Sequence, residues 1–581
     1  MADSIYPNGI DGYSQLPLAV DTVTRIDADS VNRLRNAIVN IETELGITPS
    51  VSYVDVRTRL DNMEDRIEIL EEGDSPPSPP TPGGGCGTVI EAGGTIEGVY
   101  ECDVVCLGAV TVTAAVEVKG NLVVRGDFIN NGGWAVTVHG SLYAQTLLFN
   151  HSSTSQIQGN LEVGGNFTFA RIEFAQGGGT AATLRVGGNL TCSDDSLTAG
   201  IYASGVYPLT PGLSILVFGN LTSPTIEIVG SIGNGLNIGG IGGNLVVYGS
   251  LNSSTLIDIS GGSSDGSTGG DGGVLEVYGE LSGNELRIAG GEDINGNGGA
   301  GGQLNVSGSL TLSILTGYGG DGTGGAGGLG ATLFIGGNFT SFVTDVYGGQ
   351  GGGGAGGQGG DITVNGTASF STLDFQGGLG ANGNGGDGGN ISISGGANLQ
   401  DIKINGGDSS NGFGGNGGSL YVNGNFTIDD MDLYGGQSSN GGGGNGGQIY
   451  IYGNMYSESI NLYGGAGSSG GVGGDGGLIY IFGSFSSRFD IIGYGGDGSA
   501  AASAGVGGQL YIYGDTKVRD INVSGGVGVS GNAGDGGLID ISGDLKLRAL
   551  QANGGSCNSN LNTHRSGSGG SLYVRGDLIG D

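Results

Sequence analysis

The stretch YGGQGGGGAGGQGGDITVNG, Tyr347 to Gly366, holds ten glycines ahead of Asp361 and then turns at once into an alternating apolar run. A glycine fixed in one conformation loses roughly 0.5–1 kcal/mol more than alanine would, so this run forfeits on the order of 5–10 kcal/mol if it is ordered. Either other interactions offset that loss or the run is a loose tether. The choice decides the fold, because glycine supplies 136 of the 581 residues. There is no collagen-like G-X-Y register, and 36% of the residues are hydrophobic, enough for a core if they are regularly placed.

They are regularly placed. A glycine closes the motif apolar-x-apolar-x-Gly in LVVYG (Leu245 to Gly249), LYVNG (Leu420 to Gly424) and IYIYG (Ile449 to Gly453). That glycine falls at Gly219, Gly249, Gly279, Gly308, Gly337, Gly366, Gly395, Gly424, Gly453, Gly483, Gly514, Gly543 and Gly576, at intervals of 30, 30, 29, 29, 29, 29, 29, 29, 30, 31, 29 and 33. Earlier copies at Gly126, Gly140, Gly165 and Gly188 are less even. Each period begins with a short strand such as Leu420-Tyr421-Val422. A polar turn and an apolar position follow (Asn425, Phe426), then a second strand ending in Gly-Gly, as in MDLYGG (Met431 to Gly436), then the glycine run. Two short strands and one glycine run per rung of about 29 residues predict a mainly β chain, a β-solenoid in which each rung pairs only with its neighbours.

The glycine runs keep columns of their own. The residue after the Gly-Gly pair is Asp321, Gln350, Leu379, Asp408 and Gln437 in successive rungs, and a second column holds Leu329, Gln358, Asp387, Asn416 and Asn445. A disordered linker has no cause to keep such register. The expected conformation is polyglycine-II-like: three residues per turn, about 3.1 Å rise, backbone groups pointing outward and bonding to the runs above and below. Ten or so such bonds, each about 0.5–1.5 kcal/mol net, are of the size needed to offset the glycine entropy.

Upstream the composition changes. Val31, Leu34, Ile38, Ile41 and Leu45 recur at helical spacing, and after Gly46 and Pro49 so do Val56, Leu60, Met63, Ile67 and Leu70. Asp29 is placed to cap the first helix, and Ser52 with Asp55 resembles a capping box for the second. Seams this narrow, flanked by charge, predict a short α-helical coiled-coil or hairpin module that drives oligomerisation. GDSPPSPPTPGGG, Gly73 to Gly85, reads as a semi-rigid spacer. The expected organisation is therefore a helical docking and oligomerisation module over 1–72, a Pro/Gly linker over 73–85, irregular first rungs over 86–214 and a regular shaft over 215–581.

Nineteen basic against 55 acidic residues give a net charge of −36, which repels phosphate backbones, so nucleic acid is not an expected partner. The N-terminal stretch shows no signal-peptide pattern and no run approaches membrane-spanning length, so membrane insertion is not expected either. A pair among Cys86, Cys102 and Cys106 can close in an oxidising medium; otherwise these cysteines, with Cys192 and Cys557, are small buried thiols. The C-x-x-x-C spacing with only three histidines does not suit zinc, and the Asp columns are too broken for calcium, so no metal or other cofactor is assigned. Asp194 and Asp195, and Asp429, Asp430 and Asp432, are the places to look for a glycosidase carboxylate pair, yet acidic pairs at turns are ordinarily solvated; no catalytic residue is assigned.

Alternation sends Tyr421 outward where Leu420 and Val422 point in, and its period equivalents are Tyr450, Tyr480, Tyr511 and Tyr573. A neighbouring column holds Tyr248, Tyr278, Tyr452, Phe482 and Tyr513. Such rings stabilise the ladder by stacking, or form a chain-to-chain interface, or a platform for sugars.

The short strands alternating with runs such as GNGGDGG (Gly383 to Gly389) resemble the stacked polyglycine-II domains of some tailed-phage receptor-binding adhesins. IDADSVNRLRNAIVNIETELGITPS (Ile26 to Ser50), followed by YVDVRTRLDNMEDRI (Tyr53 to Ile67), is similar to a module at the start of phage virion fibre proteins. The resemblance implies a virion fibre, assembled in the host cytoplasm and extracellular after release. It implies a homotrimer held to tail, neck or head proteins by its N-terminus and meeting host surface glycan. The final strand, LYVRGDLIGD (Leu572 to Asp581), leaves a sheet edge that a capping protein or another copy is expected to cover. A bacterial adhesin or filament subunit, and a glycan depolymerase tailspike, are the alternatives.

Overall fold

The computed structural model describes residues 87–132, 134–150, 160–176, 183–194, 199–205, 213–233, 238–499, 502–557 and 564–580. The expected helical module, its seam residues and the Pro/Gly linker lie outside the described residues. Within them the chain forms 42 strands, joined by parallel pairing into one continuously wound sheet.

The rung from Ser419 to Gly447 shows how the sequence produces the winding. In the strand Ser419–Val422, Leu420 and Val422 are fully buried and Tyr421 points out. It pairs in parallel with Asn390–Ile393 before it and Gln448–Ile451 after it, so that Ile391, Leu420 and Ile449 lie in register one above another. A 29-residue shift thus superposes each side chain on its period equivalent, and the hydrophobic alternation fixes that register, since a slip of one residue would expose every core side chain.

After the turn the chain enters the strand Phe426–Asp432, whose pairing with Ala397–Lys403 runs to Leu399↔Ile428 and resumes at Asp401↔Asp430. The ladder skips Gln400 and Asp429, and the inward-facing alternation changes phase at this bend. Phe426 and Ile428 are buried before it, Met431 and Leu433 after it. The second strand is therefore longer than expected: Phe426, the apolar position expected to precede it, begins it. The core is complementary between rungs as well as within them. Phe339 shares its rung with the small Ser341, whereas in the next rung Ala368 sits beneath Phe339 and Phe370 beneath Ser341, the two phenyl rings meeting edge-on at 4.6 Å. Large over small at each position fills the volume without strain.

The glycine runs are ordered without being strands. Between Tyr347 and Asp361, the N–H groups of Gly348, Gly356 and Gly359 donate to Gln376, Asn384 and Asp387 of the next rung, each at 2.9 Å. Gly349 donates to Gly328 of the preceding rung at 2.8 Å, and Gly357 donates to Gly349 within its own rung at 2.8 Å. Each run thus folds back on itself into two arms, and bonds pass sideways between the arms as well as from rung to rung. The bonds to the runs above and below are as expected, and the bonds between arms are additional to them. A Cβ on Gly349 would lie 2.0 Å from the carbonyl oxygen of Gly320, and one on Gly357 would lie 1.7 Å from that of Gly328. Neither has a positive φ. Glycine is needed here because backbones touch, not because the chain turns left-handed.

Cys102 is disulfide-bonded, while Cys106 and Cys192 are buried and Cys557 is half-buried.

Candidate interaction surface

The outward columns predicted from alternation stand where expected. Tyr421 and Tyr450 stack with ring centroids 4.7 Å apart and planes within 1°, Tyr450 and Tyr480 at 5.4 Å and 7°, and Tyr480 and Tyr511 at 4.5 Å and 6°. Two residues further along the chain, Tyr452, Phe482 and Tyr513 form a second stack at 4.7 and 5.1 Å. Phe218, Tyr248 and Tyr278 repeat the second column nearer the N-terminus of the solenoid, at 5.1 and 4.8 Å. Tyr573 belongs to the first column by register but not to its stack: Asp540 occupies the intervening rung between it and Tyr511.

The ring planes decide what the stripe offers. Each inner ring has both faces against neighbours, so solvent meets ring edges and hydroxyl tips, and a sugar cannot lie flat on Tyr450 or Tyr480. A flat array of edges suits packing against another flat surface. Close packing also raises the pKa of Tyr450 and Tyr511, chiefly by desolvation, so both hydroxyls stay protonated donors.

Three further features carry the rung-to-rung contacts. The polar columns of the glycine runs form side-chain ladders: Asp321 accepts the N–H of Gln350 at 2.7 Å, Asp408 that of Gln437 at 2.7 Å, and Asp387 that of Asn416 at 2.7 Å. The turn after each short strand carries a second ladder, in which Asn425 accepts from the N–H of Asn454 at 2.9 Å and Asn454 from that of Ser484 at 2.8 Å. Register was legible for both; the acceptor role of the side chains was not, although the recurrence of Asp and Asn within these columns was the signal. A third aromatic column, Tyr434, Tyr463 and Tyr494, went unnoticed because the residue before Gly-Gly varies between rungs. Its rings are fanned rather than parallel, at 37° and 23°.

The acidic candidates are scattered. Asp429 and Asp430 are exposed, and Asp432 accepts from the Tyr434 hydroxyl at 2.8 Å and from Asn461 at 2.9 Å. Asp194 contributes its backbone carbonyl to the Cys192 thiol at 3.2 Å, and Asp195 lies outside the described residues. Asp345 and Asp374 face each other in register; burial first, and for Asp345 the neighbouring Asp374 charge second, hold both carboxyls above the usual aspartate range. Among the described residues no three His, Cys, Asp or Glu side chains gather as a metal site. Comparison of the chain with family models, curated proteins and solved structures gives no match.

Proposed function

We propose that this chain is a structural fibre of a tailed-phage virion, anchored by its N-terminal module and projecting a rigid glycine-rich solenoid toward the host surface. The observation that carries the proposal is the parallel ladder linking strands from Gly87–Ile90 to Leu578–Gly580, each rung bonded to the next along β segments and glycine runs alike. A rod built this way resists bending because deformation must break many bonds at once, which suits mechanical projection.

The glycine runs are polyglycine II in this proposal. A bonding direction that repeats every three residues supports it: Gly348 and Gly351 both donate to the next rung, as do Gly356 and Gly359. Bare backbone in two arms makes a thin, stiff flange where side chains would force the layers apart.

Three copies assemble through the N-terminal helices, and the edge-on aromatic stripe packs one shaft against another. Virion proteins at the tail, neck or head hold the N-terminus, host glycan is met along the exposed shaft, and a capping partner pairs with Leu578–Gly580, a strand exposed along its length. Light scattering on the purified chain tests the assembly and imaging of labelled particles tests the location. A mass of three chains and a label on virions are expected; a monomer at all concentrations together with absence from particles overturns the proposal.

A further inference from the structure

We infer that the elbow between the sheet and the glycine flange is a binding groove for an uncharged linear oligosaccharide lying parallel to the solenoid axis. Two concavities of about 740 and 590 Å³ share Tyr434, Gly435 and Gln437 and so form one trough, reaching from the rung of Tyr347 to that of Val527. At rungs about 4.8 Å apart that is roughly 29 Å, a length for a polymer rather than a small metabolite.

The chemistry of the walls selects the class. One wall is the column Gln376, Asn405, Tyr434, Tyr463, Tyr494, and the floor is the paired glycines, so a ligand can approach bare backbone. The half-buried tyrosines, tilted at 37° and 23° to one another, line the trough with aromatic surface of the kind a pyranose ring packs on. Amides beside them supply donors and acceptors for hydroxyls. Asp374, Asp408 and Asp497 also line the trough and disfavour an anionic polymer. A peptide added as a strand finds no donors, because the floor N–H groups are taken: Gly377 donates to Asn405, Gly406 to Tyr434, Gly435 to Tyr463 and Gly464 to Tyr494.

This groove is distinct from the aromatic stripe, and its test does not depend on the virion proposal. Full-length protein is titrated calorimetrically with maltohexaose, cellohexaose and chitohexaose up to millimolar concentration. At least one is expected to bind, with affinity falling at least tenfold in Tyr463→Ala, retained in Tyr463→Phe and unchanged in Tyr450→Ala on the outer stripe. Circular dichroism melting confirms that each variant is folded. Absence of binding by all three sugars, or binding that Tyr463→Ala leaves intact, overturns the inference; trimeric assembly and particle location stand or fall separately.

Discussion

Gly357 donates its backbone N–H to the carbonyl of Gly349 in its own rung, and Gly349 donates to Gly328 of the rung before, both at 2.8 Å. This zigzag ties two glycine arms to each other and each rung to its predecessor, and it works only while no side chain stands between the backbones. Gly357→Ala is therefore expected to destabilise the shaft by about 1–3 kcal/mol, because its Cβ would meet a carbonyl that cannot move without breaking the ladder. Gln358→Ala next to it, exposed, should stay within about 0.5 kcal/mol of wild type. Thermal melts of the two variants, followed by circular dichroism, make the comparison; equal melting would mean that the glycine backbones of successive rungs are not in contact.

The Asp387 ladder gives a smaller and more local prediction. Its Oδ1 accepts from the Asn416 backbone N–H at 2.7 Å and from the Asn416 side-chain amide at 3.1 Å. Asp387→Ala leaves an amide that water can reach, so the loss should be only about 0.5–1.5 kcal/mol. Hydrogen exchange should accelerate in the peptide containing Asn416, and Asp387→Asn should largely restore protection. Unchanged exchange in the alanine variant would remove the ladder from the list of stabilising contacts.

What could be read from the sequence follows from how strictly each feature is periodic. Leu420, Val422 and the outward Tyr421 were placed correctly because alternation on one buried face leaves no freedom of register. The bend at Asp429 was not legible: nothing distinguishes a skipped residue from a turn until the partner strand is known. The order of the glycine runs was inferable from columns such as Asp408 and Gln437, but not their folding into two arms, since glycine carries no side chain to mark which way it faces. Tyr434, Tyr463 and Tyr494 escaped notice because their column holds Gln376 and Asn405 in other rungs, and the groove they line exists only where the sheet meets the flange.

The pair Asp345 and Asp374 makes stability depend on pH in an uncommon direction. Burial and the facing carboxyl raise the folded-state pKa of Asp345 above its ordinary 3.8. The folded state therefore holds its proton longer than the unfolded chain does, and this contribution is full below the ordinary value and lost as pH rises through the raised one. Asp345→Asn should melt above wild type at pH 7, and the two melting temperatures should converge as the pH drops below about 4. Parallel curves across that range would show that folding does not raise the Asp345 pKa.

Cys106 should be chemically silent in the native protein. It is fully buried, and desolvation pushes its thiol up to about 11, which leaves almost no thiolate at neutral pH. Iodoacetamide at pH 8 is expected to leave Cys106 unmodified, as read by peptide mass spectrometry, and to alkylate it once the chain is unfolded in denaturant. Rapid labelling of the native protein would place Cys106 outside the core of the first rungs.

Tyr480 lies inside a stack of four, 5.4 Å from Tyr450 and 4.5 Å from Tyr511, and separates the two roles assigned to the stripe. Aromatic pairs contribute about 0.5–1.5 kcal/mol beyond buried area, so Tyr480→Ala, which removes two, should cost about 1–3 kcal/mol. Tyr480→Phe keeps both ring contacts and should melt with wild type. If the exposed edges also join shaft to shaft, the phenylalanine variant loses only a hydroxyl at the contact, and its assembly should dissociate at a higher concentration than wild type while its melting stays the same. Light scattering across a dilution series reads that difference. Identical dissociation of the phenylalanine and wild-type proteins would confine the stripe to holding its own rungs together.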